Sequence, residues 1–169
     1  MSSCRLRLAG AVVLVVCILI PGLATGLQRG QAAPPIQVTS TSGQRITNSN
    51  YGGYVLLMQF FATWCSPCRE SIPAIIRLNK KYGKQGLQVL GLSIDEGGDR
   101  VVKAFITDKR ITYPVALADD GLQSAYGVRS VPTLFLVNRK GQVIEKFMGM
   151  SDETEQAIES AIRSALAEK

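Results

Sequence analysis

Residues 54–68 read "YVLLMQFFATWCSPC". The first nine, Tyr54–Ala62, are nearly all apolar, with Gln59 the one polar interruption. A short apolar run without alternation suits a central strand buried on both faces. Cys65 and Cys68 follow directly at its end. A helix is expected to begin at this pair. Pro67 fits a first helical turn, where its missing N–H costs nothing. Ile72, Ile75 and Ile76 repeat at i, i+3, i+4 and form a core face, while Arg77, Lys80 and Lys81 fall in solvated last turns. Pro73 inside the pattern predicts a kink. Gly83 and Gly86 punctuate the end.

Outward from this unit, strands alternate with helices. "LQVLGLSID" (87–95) reads as a second buried strand. In "DRVVKAFITDKR" Asp99 is a candidate N-cap, and Val102, Phe105 and Ile106 recur at helical spacing. "YPVALADD" is a short extended piece, and "GLQSAYGV" holds one or two helical turns. "TLFLVNRKGQVIEKFMG" (133–149) reads as a hairpin. A closing helix follows, capped by Ser151 or Asp152, with Ile158, Ala161, Ile162, Ala165 and Leu166 along one stripe. Ahead of the central strand come a Pro-rich linker, two short strands around Ser42-Gly43, and a loop over 48–53. The pattern is α/β: a mixed central sheet flanked by helices.

The chain has 169 residues, enough for one domain with a real core. Its N-terminus is an address. Arg5 and Arg7 precede a stretch without charge from Leu8 through Gln28, apolar to about Ile20 and broken by Pro21-Gly22. Small residues follow at Ala24-Thr25-Gly26 and Gly30-Gln31-Ala32. Residues 1–33 are therefore a cleaved signal peptide or an uncleaved membrane anchor with a linker, and residues 34–169 the folded domain. A lipoprotein reading through Cys17 is weaker, because Val16 is not small. In each case Arg5 and Arg7 stay inside and the domain lies outside the cytoplasm. The membrane is met only through this segment.

The net charge of +6 includes Arg5, Arg7 and Arg29. From Pro34 onward sixteen Lys/Arg face thirteen Asp/Glu, scattered and without aromatic residues among a basic run. That excludes a nucleic-acid footprint. There is no histidine, which removes Ser-His and Cys-His catalysis and most transition-metal sites.

Three readings of the cysteine pair compete. Structural zinc needs four N/S ligands, and with Cys4 and Cys17 in the N-terminal segment two are missing; no metal is expected. A structural staple closing so short a loop gains little chain entropy. A redox pair has positive support. At a helix N-terminus Cys65 is favoured as thiolate by the dipole and unpaired N–H groups. Arg69 adds a positive charge nearby, and Trp64 can cover one side of the pair. Cys68, one turn in, is placed to be more buried and to resolve a mixed disulfide on Cys65. No cofactor is needed beyond the disulfide itself.

"FFATWCSPCRESIP" after a buried strand, with "VRSVPTLFLVNRKGQV" about sixty residues later, resembles the thioredoxin fold. The N-terminal strands and the insert "GLSIDEGGDRVVKAFITDKRITYPVALADD" resemble its TlpA/ResA-type branch of AhpC/TSA-like redoxins, over about Pro34 to Lys169. The resemblance implies a cis peptide at Val131-Pro132 beside the cysteines, with Val131 offering its backbone to the substrate chain and Trp64 and Pro132 completing the docking surface. It implies an exported thiol–disulfide oxidoreductase, with Cys65 attacking and Cys68 resolving. Its substrates would be exported protein disulfides, those of cytochrome c maturation included, and a membrane thiol donor would supply electrons.

Two positions depart from the family. Thioredoxins carry a buried acid six residues before the first cysteine, where this chain has Gln59. ResA-type proteins often carry a glutamate three residues after the second, where this chain has Ser71; Glu70 comes one position early and points elsewhere on the helix. Asp95 and Glu96 are the other proton-relay candidates. Pro67, Arg69, Glu70 and Gln59 are thus candidate modulators of the pair. The rival activity is a peroxiredoxin-type peroxidase with Cys65 as attacking cysteine. Peroxiredoxins lean on a Thr or Ser three residues before that cysteine, and Ala62 stands there.

Overall fold

The structure, a computed structural model, describes residues 27–168. Its central sheet has the order β5-β4-β3-β6-β7, built from β3 (Val55–Phe61), β4 (Leu87–Ser93), β5 (Val115–Leu117), β6 (Thr133–Val137) and β7 (Val143–Met148). β3 pairs parallel with β4 and antiparallel with β6, so the sheet is mixed. All seven residues of β3 are buried, as its unbroken apolar run requires for a strand in mid-sheet. Around it stand α1 (Ser66–Tyr82), α2 (Gly98–Lys109), α3 (Asp120–Ala125) and α4 (Asp152–Ala167). This is the α/β arrangement expected from the sequence. Among the described residues no helix is long and apolar enough to cross a membrane; the signal or anchor stretch lies almost wholly outside them.

Alternation along β3 sends Leu57 and Phe61 to one face and Leu56, Met58 and Phe60 to the other. On the first face the core is closed by Ile72 and Ile75 of α1, Val102 and Phe105 of α2, and Ile158 and Ile162 of α4. On the second face Phe60, Tyr126 and Phe135 form an aromatic cluster with centroids 5.2–5.9 Å apart. The small antiparallel pair β1 (Gln37–Thr39) and β2 (Arg45–Thr47) covers this side through Ile36 and Ile46. The buried Tyr126 hydroxyl donates to Pro34 O at 2.9 Å, tying this cover to the sheet. Tyr126→Phe removes this bond and leaves Pro34 O with the Asn48 Nδ2–H donor alone, at 3.2 Å, and a loss of about 1 kcal/mol is expected in chemical denaturation.

Three local details differ from or extend the sequence reading. The helix α2 starts at Gly98 after a Gly97 N-cap, so Asp99 lies within its first turn and does not cap it. Gly98 takes a left-handed φ of 71°, and this glycine turn winds the chain into the helix one residue early. Residues 28–33, read as linker, run along the sheet edge: Gly30 N–H donates to Val143 O and Val143 N–H to Gln31 O. Finally, α1 runs on through the exposed Pro73 as one helix of 17 residues.

Candidate functional site

The site forms where β3 ends and α1 begins. Cys65 is the N-cap of α1, with extended backbone (φ −81°, ψ 112°), and Ser66 and Pro67 open the first turn. Cys65 and Cys68 are joined as a disulfide, with Cα atoms 5.2 Å apart. Cys65 Sγ accepts the Cys68 N–H at 3.2 Å. This is one of the unpaired N–H groups of a helix start, the kind that stabilises a thiolate. Cys65 keeps 7% exposure and Cys68 none. Both cysteines are thus buried, with Cys65 keeping the greater exposure.

The peptide Val131-Pro132 is cis. It brings the Val131 carbonyl oxygen to 3.6 Å from Cys65 Sγ, although the residues are 66 apart in sequence. Pro132 is buried and Val131 half-buried. Gly149 N–H donates to Pro132 O, which ties this turn to the end of β7. Trp64 stands 69% exposed, and the residue before it is clasped from the side of β4. That clasp is Asp95: its carboxylate accepts Thr63 N–H at 2.9 Å, Thr63 Oγ1–H at 2.6 Å and Ser93 Oγ–H at 2.6 Å. A groove of about 590 Å³ opens beside it, with Trp64, Val101 and Glu96 among its walls.

The candidate modulators divide. Arg69 and Glu70 are exposed, and Glu70 accepts a hydrogen bond from Ser66 Oγ at 3.3 Å, so it faces solvent beside the first turn. Pro67 is exposed in that turn. Gln59 alone of the four is buried. It is fully buried, and its Nε2 donates to Ser71 Oγ at 2.7 Å, which in turn donates to Cys68 O at 2.6 Å. Asp95, a relay candidate, has both oxygens occupied by Thr63 and Ser93, and Glu96 is exposed. Sequence reasoning named Gln59 and Ser71 separately as departures. It missed their hydrogen bond and missed Asp95 as an anchor, since each joins residues from separate elements.

A model of the AhpC/TSA family matches residues 29–146. The thiol-disulfide oxidoreductase ResA of Bacillus thuringiensis (strain Al Hakam) is 32% identical over 139 residues, covering 81% of this chain and 78% of the relative. The thioredoxin-like protein YneN of Bacillus subtilis (strain 168) is 30% identical over 131 residues, 77% of each chain. Among solved structures, one from Chlorobium tepidum proposed to be the thiol:disulfide interchange protein DsbE aligns with a TM-score of 0.78 at 31% identity. It covers 84% of this chain and all of that one.

Proposed function

Because the chain belongs to the AhpC/TSA family, we propose that it is a protein-disulfide oxidoreductase working outside the cytoplasm by dithiol–disulfide exchange through Cys65 and Cys68. The observation that carries this reading is the pair itself: two cysteines in disulfide contact at a helix start, one keeping some exposure and one fully buried. The names of the relatives support the same chemistry.

In the reductive direction the Cys65 thiolate attacks one sulfur of a substrate disulfide and expels the other as a thiolate. The Cys68 thiolate then attacks Cys65 Sγ. The bond to the substrate breaks, its second sulfur leaves as a thiolate, and Cys65–Cys68 is left oxidised. Two electrons have passed to the substrate, and its two thiolates take protons from solvent. A membrane-associated dithiol then reduces Cys65–Cys68 by the same exchange. The disulfide is the electron carrier, and no other cofactor is required. An extended substrate strand docks against the Val131 backbone and the exposed Trp64, with Pro132 shaping the turn. Exported polypeptides with a C-x-x-C-H haem-attachment motif are the finer substrate class.

The reduced full chain should reduce insulin, one substrate disulfide per protein, and should reduce an oxidised C-x-x-C-H peptide by the same measure. Intact insulin together with stoichiometric loss of hydrogen peroxide would replace this reading with a thiol peroxidase.

A further inference from the structure

Among the described residues the exposed large apolar side chains are Tyr54, Trp64, Val101 and Met148. Tyr54 stands just before β3, at the end of that strand away from the cysteines. Trp64 and Val101 share the groove beside Asp95. Met148 is 68% exposed, and its neighbour is the docking turn. It closes β7 as the register partner of Thr133, the residue after the cis Pro132. The residue after it, Gly149, donates its N–H to Pro132 O. Register partners on antiparallel strands hold their Cβ atoms about 5 Å apart. Met148 is therefore fixed to the same turn that brings the Val131 carbonyl to Cys65 Sγ.

An exposed apolar side chain is ordinary by itself. What distinguishes Met148 from Trp64 and Val101 is its thioether. An oxidant must reach sulfur to react with it, so exposure decides which methionine is oxidised. Met58 is fully buried in β3, and Met150 packs half-buried against the core. Cys65 and Cys68, joined as a disulfide, offer no thiolate. In the oxidised protein Met148 is the reachable sulfur among the described residues.

We propose that Met148 is an oxidation site that governs substrate docking: peroxide converts its thioether to the sulfoxide, and the sulfoxide slows exchange with protein disulfides until a sulfoxide reductase restores the thioether. The inference rests on the exchange reading above. In the oxidation the sulfur gives up two electrons and gains an S–O bond. The O–O bond of hydrogen peroxide breaks, and its second oxygen leaves as water with both protons. A flexible apolar side chain thereby becomes polar and chiral. A substrate strand laid on the Val131 backbone then meets a hydrated S–O dipole in place of an apolar surface. Covering that dipole costs free energy unless a donor pairs with it.

The test treats the full chain, with its disulfide formed, with hydrogen peroxide. The peroxide is removed and the chain reduced with a dithiol. Peptide mapping should find the mass of one oxygen on the peptide that holds Met148, with Met58 and Met150 at least about tenfold slower to react. Insulin reduction at low insulin should slow roughly fivefold, the size of losing part of one buried apolar contact. Sulfoxide reductases for both epimers should restore the rate. A small nitrobenzoate disulfide, which reaches Cys65 without lying on the turn, should react as before. Met148→Leu stays apolar and has no sulfur to oxidise, so its insulin rate should be the same before and after peroxide. Met148→Gln, polar from the outset, should match the oxidised chain. The inference is overturned if Met148 stays intact while another methionine takes the oxygen, or if complete oxidation of Met148 leaves the insulin rate untouched. Equal slowing in Met148→Leu, or equal slowing of the small disulfide, overturns it too, because the damage then lies outside docking at Met148. If the untreated chain reduces neither substrate, the exchange reading itself falls.

Discussion

Cys65→Ala should abolish insulin reduction, and Cys68→Ala should stop turnover while trapping a covalent complex between Cys65 and the substrate. The two outcomes differ because the sulfurs differ. Cys65 caps α1 and receives the Cys68 N–H, and it is the cysteine that keeps some exposure. Without it no attack occurs. Cys68 is sealed in the core, so its loss spares the first step and removes the intramolecular second step. That second step gains from proximity, because the two sulfurs already lie within bonding distance in one turn. A fall of at least about a hundredfold in turnover is expected for Cys68→Ala, equivalent to some 2.7 kcal/mol of transition-state stabilisation. The trapped complex should be visible as a mass increase that dithiol treatment removes. Full turnover by Cys68→Ala would show that the pair does not work as attacking and resolving sulfurs.

Much of this site was legible because its signals are local. The run from Val55 to Phe61 announces a strand in mid-sheet, and the cysteines at its end fall on a helix start because Pro67 suits a first turn. Val131-Pro132 was legible only through the family resemblance; no local rule marks that bond as cis. Other features could not be read, for definite physical reasons. Asp95 and Thr63 are 32 positions apart, and their bonds exist because β4 lies parallel beside β3 and the two strands end level, Phe61 beside Ser93. Polar residues at strand ends are ordinary, so neither position stands out alone. The Gln59–Ser71 bond depends on how α1 lies across β3. Asp99 failed as a cap because the conformational freedom of Gly97-Gly98 outweighed the side-chain preference. Residues 28–33 looked like linker because their pairing partner, the start of β7, is more than a hundred residues away.

Asp95→Ala should combine the largest stability loss predicted here with a slower reaction. The carboxylate is nearly buried and accepts three hydrogen bonds, two from Thr63 and one from Ser93. Alanine leaves those donors without that acceptor, the Ser93 hydroxyl in the buried strand end and the Thr63 groups at the wall of the groove. A loss of about 3 kcal/mol is expected, since each stranded buried donor costs on the order of 1–3 kcal/mol and the hydroxyls can partly re-pair. The functional effect follows from the same bonds. Thr63 is the second residue before Cys65, and with its N–H and hydroxyl both held, the backbone leading into Trp64 and Cys65 has one position. Released, that segment no longer holds Cys65 Sγ beside the Val131 carbonyl, and insulin reduction should slow several-fold, as positional slack of this kind does. Asp95→Asn keeps one oxygen as acceptor and should recover part of both losses. Denaturant unfolding of the three proteins gives the stability order, and Trp64 fluorescence reports the loosened rim. If Asp95→Ala unfolds within about 0.5 kcal/mol of the unmodified chain, as a neutral surface change would, the clasp does not hold the active-site segment.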